Sequence, residues 1–219
     1  MLLAIDTSTP QIGVALYDGA RVLAEHLWVS PARHTVELAP MVEQMLRQTG
    51  ASISALTGLG IAIGPGSFTS LRVGLSFGKG LAMSRNLPLV GIPTLDVVAA
   101  PVARDSRPLA CLLPAGRGRL ALGWYRAHET GWQASSDPHI TTAEALSASI
   151  TQETLVAGDL TAAERSMLQN NPLLRLVSPA LSTRRPGVLA ELAWQRLQAG
   201  ASDDLHRLAP RYLHIGEPL

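Results

Sequence analysis

The distribution of apolar and polar positions predicts that the chain opens with three β-strands. Residues 2–5 and 12–17 are apolar runs of strand length, and residues 22–29 alternate between apolar and polar side chains. Turn-forming residues separate these runs, among them Asp18-Gly19, a pair typical of tight hairpins. The first part of the chain is therefore expected to form three strands joined by short turns.

Helical periodicity follows the strands. In residues 35–48 the apolar side chains recur with the period of an α-helix, and Gly50 follows as a stop signal. A buried strand at 59–63, a sharp turn at 64–67, a second helix ending near Arg85 and a third helix over 95–103 come next. One arc of the first helix holds its apolar residues, Leu38, Met41, Val42, Met45 and Leu46.

The second half repeats this arrangement with a weaker pattern. Residues 109–113, 120–125 and 154–157 have the composition of strands, and residues 188–198 that of a final helix. The polar, turn-rich stretch 104–108 marks a boundary between lobes. We predict an α/β fold with two mixed sheets, an N-terminal lobe at 1–104 and a C-terminal lobe at 105–219. Whether the last helix packs back on the first lobe is left open.

Composition narrows the classes of protein to which the chain can belong. Of its 219 residues, 47% are apolar and 16% charged, which supports a large core and excludes a disordered chain. The formal charge of +1 argues against a dedicated nucleic-acid binder, and the single cysteine, Cys111, excludes an internal disulfide. No apolar run is long enough for a membrane span and no secretory signal is evident, so a cytoplasmic protein is expected.

Local motifs for catalysis or metal binding are weak. The segment Gly74–Lys79 has one residue too few between its glycines for a phosphate loop and lies inside a predicted helix. No two histidines stand at the i, i+4 spacing that a helical metal site needs. We therefore expect neither a catalytic residue nor a metal site in this chain, and interpret His34 as a residue of the helix start.

Three features remain and occur together. They are a strand that ends in Asp6, Thr7 and Ser8, the turn Gly64-Pro65-Gly66-Ser67, and the glycine-rich helix 71–82. Together they closely resemble the bacterial TsaB (YeaZ) family, whose members combine an Ile-Asp-Thr-Ser strand with a long Gly-Pro-Gly-Ser-Phe-Thr motif. The chain departs from the family pattern at Ser70, and at 113–117, where members show an Asp-Ala-Arg element. The roles of the loop from Pro114 to Arg117 and of Cys111 stay open.

The resemblance implies an actin-like, sugar-kinase-type fold and a part in threonylcarbamoylation of adenosine 37 of tRNA. In that system a TsaD-like transferase is the catalyst, a TsaE-like ATPase completes the complex, and the TsaB protein is a non-catalytic activator. ATP and metal are then expected in the partner subunits and none in this chain alone. Transfer RNA would be reached indirectly, through the complex.

The catalytic relatives hold a metal with two histidines four residues apart. The resemblance places Thr94 and Val98 at those positions, and neither side chain is a suitable ligand for a transition metal. The chain thus retains the scaffold of the enzyme without its reactive centre. A nucleotide-proximal role stays open for the residues around the turn, namely Asp6, Thr7, Ser8, Gly64, Gly66 and Ser67.

A partner interface is expected on the two helices of the first lobe. The second helix is apolar around most of its circumference, with a polar stripe of Arg72, Ser76 and Lys79, so it should be covered on more than one side. We predict a helix–helix interface with the transferase or with a second copy of the chain. Gly74→Leu or Gly78→Leu should leave a folded monomer that no longer binds the transferase. The alternative is that the chain's own helices fill this groove. The predicted interface consists of Leu38, Met41, Val42, Met45, Leu71, Gly74, Leu75, Gly78 and Ala82.

Two other functions stay open from the sequence. One is a stand-alone enzyme of the same superfamily, either a small-metabolite kinase or a peptidase-like hydrolase. The other is direct capture of tRNA by scattered arginines such as Arg184, Arg185 and Arg207.

Overall fold

A computed structural model of the chain describes residues 1–30 and 33–213. It contains two compact units, each with its own sheet. The first comprises Met1–Thr94 and Arg185–Arg211, and the second Leu95–Arg184 with Tyr212 and Leu213.

The first unit is built on a five-stranded sheet. Its strands are β1 (Leu2–Asp6), β2 (Gln11–Tyr17), β3 (Val22–Val29), β4 (Gly58–Ala62) and β5 (Leu89–Ile92), in the order β3-β2-β1-β4-β5. The first three strands form an antiparallel meander, and β4 and β5 run parallel to β1. The carboxyl ends of three parallel strands therefore meet at one edge, which is where ligands bind in many α/β proteins.

Helices cover both faces of this sheet. Helices α1 (His34–Thr49) and α2 (Phe68–Arg85) lie on one face, with a 3₁₀ turn at Ile53–Ala55 between α1 and β4. Helix α7 (Pro186–Gln198) crosses the opposite face, where Ala193 and Leu197 lie against Gly60 and Gly58. Alternation along β4 turns Ile61 the other way, towards Gly78 of α2.

The ends of α1 and α2 follow local rules. Gly50 and Asn86 end the two helices in the left-handed conformation, and the Ser67 side chain caps α2 by accepting a hydrogen bond from the Ser70 amide.

The second unit is built on a six-stranded mixed sheet in the order β11-β10-β6-β7-β8, with β9 paired to β7. Its strands are β6 (Leu109–Pro114), β7 (Leu120–His128), β8 (Gly131–Ala134), β9 (His139–Thr141), β10 (Thr154–Gly158) and β11 (Leu174–Leu176). Its helices are α3 (Thr94–Ala99), α4 (Ala143–Ser149), α5 (Ala162–Gln169) and α6 (Pro179–Ser182).

The α/β fold class with two mixed sheets is confirmed, with corrections of detail. The apolar pattern does not indicate β8, β9, β11, α5 or α6, and the predicted helix 95–103 ends at Ala99. The compact units also divide the chain differently from the predicted boundary at 104–105, because Leu95, Val98 and Val102 pack in the core of the second unit. Helix α7 belongs to the first unit. Among the described residues, no helix combines the length and apolar character needed to cross a membrane.

Candidate functional site

The polar residues at the carboxyl edge of the first sheet bond to one another. Asp6, at the end of β1, accepts hydrogen bonds on Oδ1 from the Ser8 amide at 2.8 Å and from the Ser8 hydroxyl at 2.5 Å. The Ser8 hydroxyl also lies 2.9 Å from Thr94 Oγ1, which accepts from the Gly64 amide at 3.0 Å. Asp6, Ser8 and Thr94 are each at most 2% exposed, so this is a buried network of satisfied groups.

The glycine-rich turn is closed against β1. The Ser67 amide donates to the Ser8 carbonyl at 2.7 Å, and a Cβ on Gly66 would collide with that carbonyl. On the other side, the backbone carbonyl of Arg211 lies 2.5 Å from where a Cβ of Gly64 would be. The Thr7 hydroxyl adds a bond to the Ser70 carbonyl at 2.7 Å, which connects β1 to the first turn of α2.

This arrangement does not fit the nucleotide phosphate that a sugar-kinase-type fold implies. A phosphate needs backbone amides that point at it and space between the turn and the strand. Because Pro65 has no N–H, the turn has three amides, and those of Gly64 and Ser67 donate to oxygens of the chain itself. The structure does bring Asp6, Thr7, Ser8, Gly64, Gly66 and Ser67 together, but as an internal network with the turn pressed onto β1.

Thr94 and Val98, the two positions that the resemblance sets against metal ligands, are also buried. The Thr94 hydroxyl is engaged with Ser8 and Gly64, and Val98 lies in the core of the second unit. His34 places Nε2 3.0 Å from the Thr9 carbonyl, at the start of α1. Within 1–30 and 33–213, no group of three or more His, Cys, Asp or Glu side chains is arranged to hold a metal ion.

The residues predicted as the partner interface lie on the inner faces of α1 and α2, which corrects that prediction. Gly74 packs against the Thr7 side chain, and a Cβ on Gly78 would lie 2.6 Å from Cδ1 of Ile61. Of the predicted set, only Met41 is partly exposed. The others are buried against the chain's own sheet and core, so they offer little surface to a partner of the folded chain. They are Leu38, Val42, Met45, Leu71, Gly74, Leu75, Gly78 and Ala82.

The outward faces of the same two helices carry exposed apolar side chains instead. Val36 is 59% exposed on α1, and Phe68 and Met83 are 54% and 63% exposed on α2. Between the helices runs a groove of about 450 Å³. The spacing of the polar stripe identified in the sequence, at Arg72, Ser76 and Lys79, could have located this face. The groove is lined by Thr35, Leu38, Ala39, Phe68, Thr69, Arg72, Val73, Ser76 and Phe77.

Charge is distributed unequally between the two helices. Helix α2 has no acidic residue, and the Arg72 guanidinium lies 3.6 Å above the centre of the Phe68 ring. On α1, Glu37 accepts a hydrogen bond from the Trp28 indole N–H at 2.9 Å, and this bond holds the pKa of Glu37 below its usual value.

The arginines proposed for direct tRNA capture do not form such a surface. Arg184 is 2% exposed and therefore cannot contact tRNA from the surface of the folded chain, which corrects that expectation. Arg185 pairs with Glu25, and Arg207 lies 3.7 Å from Asp204.

Two features that the sequence analysis left open lie in the second unit. The loop from Pro114 to Arg117 is the tip of the β6–β7 hairpin, where Arg117 adopts a φ of 55°. Cys111 is buried in β6, and burial raises the pKa of its thiol well above the ordinary value. A reactive cysteine is therefore not expected there.

Comparisons of the sequence with known proteins agree with this description. The family described as "TsaD: tRNA N6-adenosine threonylcarbamoyltransferase" matches residues 29–215. The tRNA threonylcarbamoyladenosine biosynthesis protein TsaB of Escherichia coli (strain K12) is 36% identical over 133 residues, 59% of this chain and 57% of the relative. TsaB of Bacillus subtilis (strain 168) is 28% identical over 222 residues, 99% of this chain and 95% of the relative. The chain thus aligns with little more than half of the first relative and nearly all of the second.

Solved structures support the fold. YeaZ from Pseudomonas aeruginosa has a TM-score of 0.76 at 24% identity, covering 96% of this chain and 99% of that one. The ROK hexokinase from Thermus thermophilus has a TM-score of 0.50 at 11% identity, covering 91% and 99%. The predicted actin-like, sugar-kinase-type fold is confirmed. The chain belongs to the TsaD family of tRNA N6-adenosine threonylcarbamoyltransferase proteins and, within it, to the TsaB (YeaZ) branch.

Proposed function

We propose that this chain takes part in tRNA threonylcarbamoyladenosine biosynthesis as a non-catalytic subunit that binds and activates a TsaD-type transferase. The relatives that support this role are named as biosynthesis proteins for that nucleoside, and one of them aligns with nearly the whole chain. A TsaE-type ATPase and tRNA would meet this chain within the transferase complex, in a cytoplasmic setting. ATP and metal would be held by the partners.

The carboxyl edge of the first sheet supports a non-catalytic role. The groups that would face a substrate, Asp6 and Ser8 with Thr94, are bonded to one another and buried. In an enzyme such groups would be directed at a ligand, because catalysis requires donors and acceptors that meet the reacting atoms. No feature of the described residues favours the rival functions of a metabolite kinase or a hydrolase.

The outward faces of α1 and α2 carry the proposed interface, and their exposed apolar side chains are the observation on which it rests. Val36, Phe68 and Met83 are each more than half exposed, and Phe68 also lines the groove of about 450 Å³ between the helices. Large exposed apolar groups beside a concave surface are typical of binding sites, where an anchoring side chain from the partner is buried. We therefore propose that a pair of transferase helices packs across these two helices.

The sharpest test uses Gly80, which lies one helical turn beyond Ser76. A Cβ at Gly80 would meet no atom of the described part of the chain within 4 Å, so a larger side chain is tolerated by the fold. We expect Gly80→Leu to purify as a folded chain and to lose co-elution with the transferase in size-exclusion chromatography, because the new side chain holds the partner helix away. The matched control is Gln195→Leu, an exposed helical position on α7. An unchanged complex with Gly80→Leu would refute this interface.

The proposed role also predicts an activity pattern. The isolated chain, supplied with ATP and Mg²⁺, should show no turnover, and its addition should raise the rate of modified-nucleoside formation by the transferase. Metal-dependent hydrolysis or phosphoryl transfer by the isolated chain would favour the enzyme alternative instead.

A further inference from the structure

The turn between β6 and β7, in the second unit, holds three consecutive residues in the left-handed region of backbone conformation. Gly116, Arg117 and Gly118 have φ angles of 75°, 55° and 70°. Glycine adopts such angles readily, whereas a residue with a Cβ does so at a cost, so Arg117 is the strained member of the turn. Residues held in this way are concentrated at ligand-binding sites. We call residues 116–119 the β6–β7 tip.

Two hydrogen bonds close the β6–β7 tip and leave three of its amides without an acceptor in the described part of the chain. The Arg119 amide donates to the Gly116 carbonyl at 3.1 Å, and the Ala115 amide donates to the Arg119 carbonyl at 2.8 Å. The three remaining amides belong to Gly116, Arg117 and Gly118, which are all exposed. Successive amides of a turn can form a concave group of donors that binds an anion.

The turn between β2 and β3, in the first unit, shows which kind of group fills such amides. There, Asp18 Oδ1 accepts hydrogen bonds from the Ala20 amide at 2.9 Å and from the Arg21 amide at 2.7 Å. The β6–β7 tip has no side chain that could do the same, since the sequence contains no acidic residue between Asp105 and Glu129. An anionic oxygen of another molecule can therefore take the place that a carboxylate occupies in the first hairpin.

Two guanidinium groups accompany the free amides. Arg117 is exposed, and Nε of Arg119 donates to the Gly116 carbonyl at 3.3 Å, which keeps the Arg119 side chain beside the turn. Among the described residues, neither guanidinium pairs with a carboxylate. Even Asp159, whose amide bonds to the Leu112 carbonyl near the end of β6, forms no ion pair with them. The β6–β7 tip therefore combines free donors with positive charge that the chain does not neutralise.

We propose that the β6–β7 tip binds a phosphate of an RNA backbone through its free amides and the Arg117 and Arg119 side chains. A Cβ at Gly116 or Gly118 would meet no described atom within 4 Å, so the tip offers donors for a phosphate without enclosing a base or a ribose. One contact of this kind is compatible with the formal charge of +1, which argues only against a dedicated nucleic-acid binder. The inference rests on the proposed function, which supplies tRNA as the RNA.

The first test measures the affinity of the assembled complex, the full-length chain with the transferase, for a fluorescently labelled tRNA transcript over a series of salt concentrations. Each phosphate contact contributes about 0.7–0.9 to the slope of log affinity against log salt concentration. Arg117→Gln should therefore lower the affinity by about five- to eightfold near 0.1 M NaCl, and the difference should vanish near 1 M NaCl. Arg126→Gln is the matched control, because it removes the same charge at an exposed position of β7. It should leave the affinity unchanged.

Gly118→Val separates the amides from the charge. It keeps both arginines but places a β-branched residue at a φ of 70°, so the turn should lose its left-handed conformation and tRNA affinity should fall. Gly131→Val is the matched control in the β7–β8 turn, since Gly131 also has a positive φ and open space around its Cβ position in the described structure. It should bind tRNA as wild type does. A loss with Arg117→Gln but none with Gly118→Val would overturn the role of the amides.

Nuclear magnetic resonance of the isotope-labelled full-length chain, without the transferase, identifies the ligand directly. The amide resonances of Gly116, Arg117 and Gly118 should shift when a short RNA oligonucleotide is added. At the same concentration, ATP should shift them less, because a single free nucleotide gains nothing from its base at an open turn. Larger shifts with ATP than with RNA would make this a nucleotide site and overturn the assignment to RNA.

The outcomes distinguish this inference from the proposed function. If the complex forms but Arg117→Gln and Gly118→Val bind tRNA with wild-type affinity, the phosphate site is wrong and the proposed function stands. If the chain does not bind the transferase, the proposed function fails. In that case, amide shifts of the β6–β7 tip with RNA would still support the phosphate site, and their absence would overturn it as well.

Discussion

The inner and outward faces of α2 use similar residues for opposite purposes. On the inner face, Gly74 and Gly78 let the helix approach β1 and β4 so closely that Thr7 and Ile61 occupy the space of a side chain. On the outward face, Gly80 has open space before it in the described structure, and Phe68 and Met83 are more than half exposed. Gly74 and Gly78 thus permit close packing in the core, whereas Gly80 leaves open space at the surface.

The energetics of the two faces differ accordingly. A glycine in a helix costs roughly 1 kcal/mol relative to alanine, and on the inner face that cost is offset by close packing against the sheet. On the outward face, burial of a large apolar side chain contributes about 1.5–3 kcal/mol only when another molecule covers it. The inner face thus supports folding, whereas the outward face leaves apolar surface in water, as the proposed interface requires.

The largest expected effect separates these glycines directly. Gly74→Leu or Gly78→Leu should lower the free energy of unfolding by about 3 kcal/mol or more, because the new side chain would overlap Thr7 or Ile61. Gly80→Leu should instead raise it by about 1 kcal/mol through helix propensity alone. Urea unfolding of the three variants measures the difference. This result would also correct the expectation from sequence that the first two variants remain folded monomers.

The opposite result would be equally informative. If Gly78→Leu unfolded at the same urea concentration as wild type, α2 would not approach β4 as closely as described. The assignment of its inner and outward faces would then be wrong.

An intermediate effect is expected at the buried polar network that lies beside the inner face. Thr94→Val keeps the shape of the side chain and removes the oxygen that accepts from Gly64 and bonds to Ser8. Two buried polar groups would lose a partner, so the free energy of unfolding should fall by about 1–3 kcal/mol.

Thr151→Val serves as the control for that experiment. Thr151 is exposed, so the same change there should alter stability by no more than about 0.5 kcal/mol. Equal stability of the two variants would mean that the network around Thr94 contributes nothing to the fold.

The sequence predicted which residues are buried better than it predicted what buries them. Helical periodicity identified Leu38, Val42 and Met45 as one apolar arc, and the structure buries all three. Periodicity cannot distinguish a partner helix from the chain's own sheet, since both remove the same side chains from water. The sequence therefore predicts the partner interface on the inner faces of α1 and α2.

Long-range pairing and weak patterns account for the other errors. The position of the turn at 64–67 follows from its glycines and proline, but its closure onto Ser8 depends on the parallel pairing of β1, β4 and β5. Strands β8 and β9 were missed because they are short and mostly exposed or half-buried, so their side chains lack the alternation of a half-buried strand.

The smallest expected effect concerns the attachment of α1 to the sheet, which fixes the direction of its outward face. The Trp28 indole donates to Glu37, and this bond lowers the pKa of Glu37 in the folded chain. The unfolded pKa is near the ordinary value of about 4.3. The bond therefore stabilises the fold above that pH, and this contribution disappears as the pH falls through the lower, folded pKa.

Between pH 7 and pH 3, the free energy of unfolding of Glu37→Gln, measured with urea, should fall by less than that of wild type. Glu43→Gln, which removes a carboxylate that is exposed on the same helix, should keep the wild-type slope. If the slopes of all three proteins coincide, the Trp28–Glu37 bond does not hold α1 in place, and the orientation of Val36 towards a partner needs another cause.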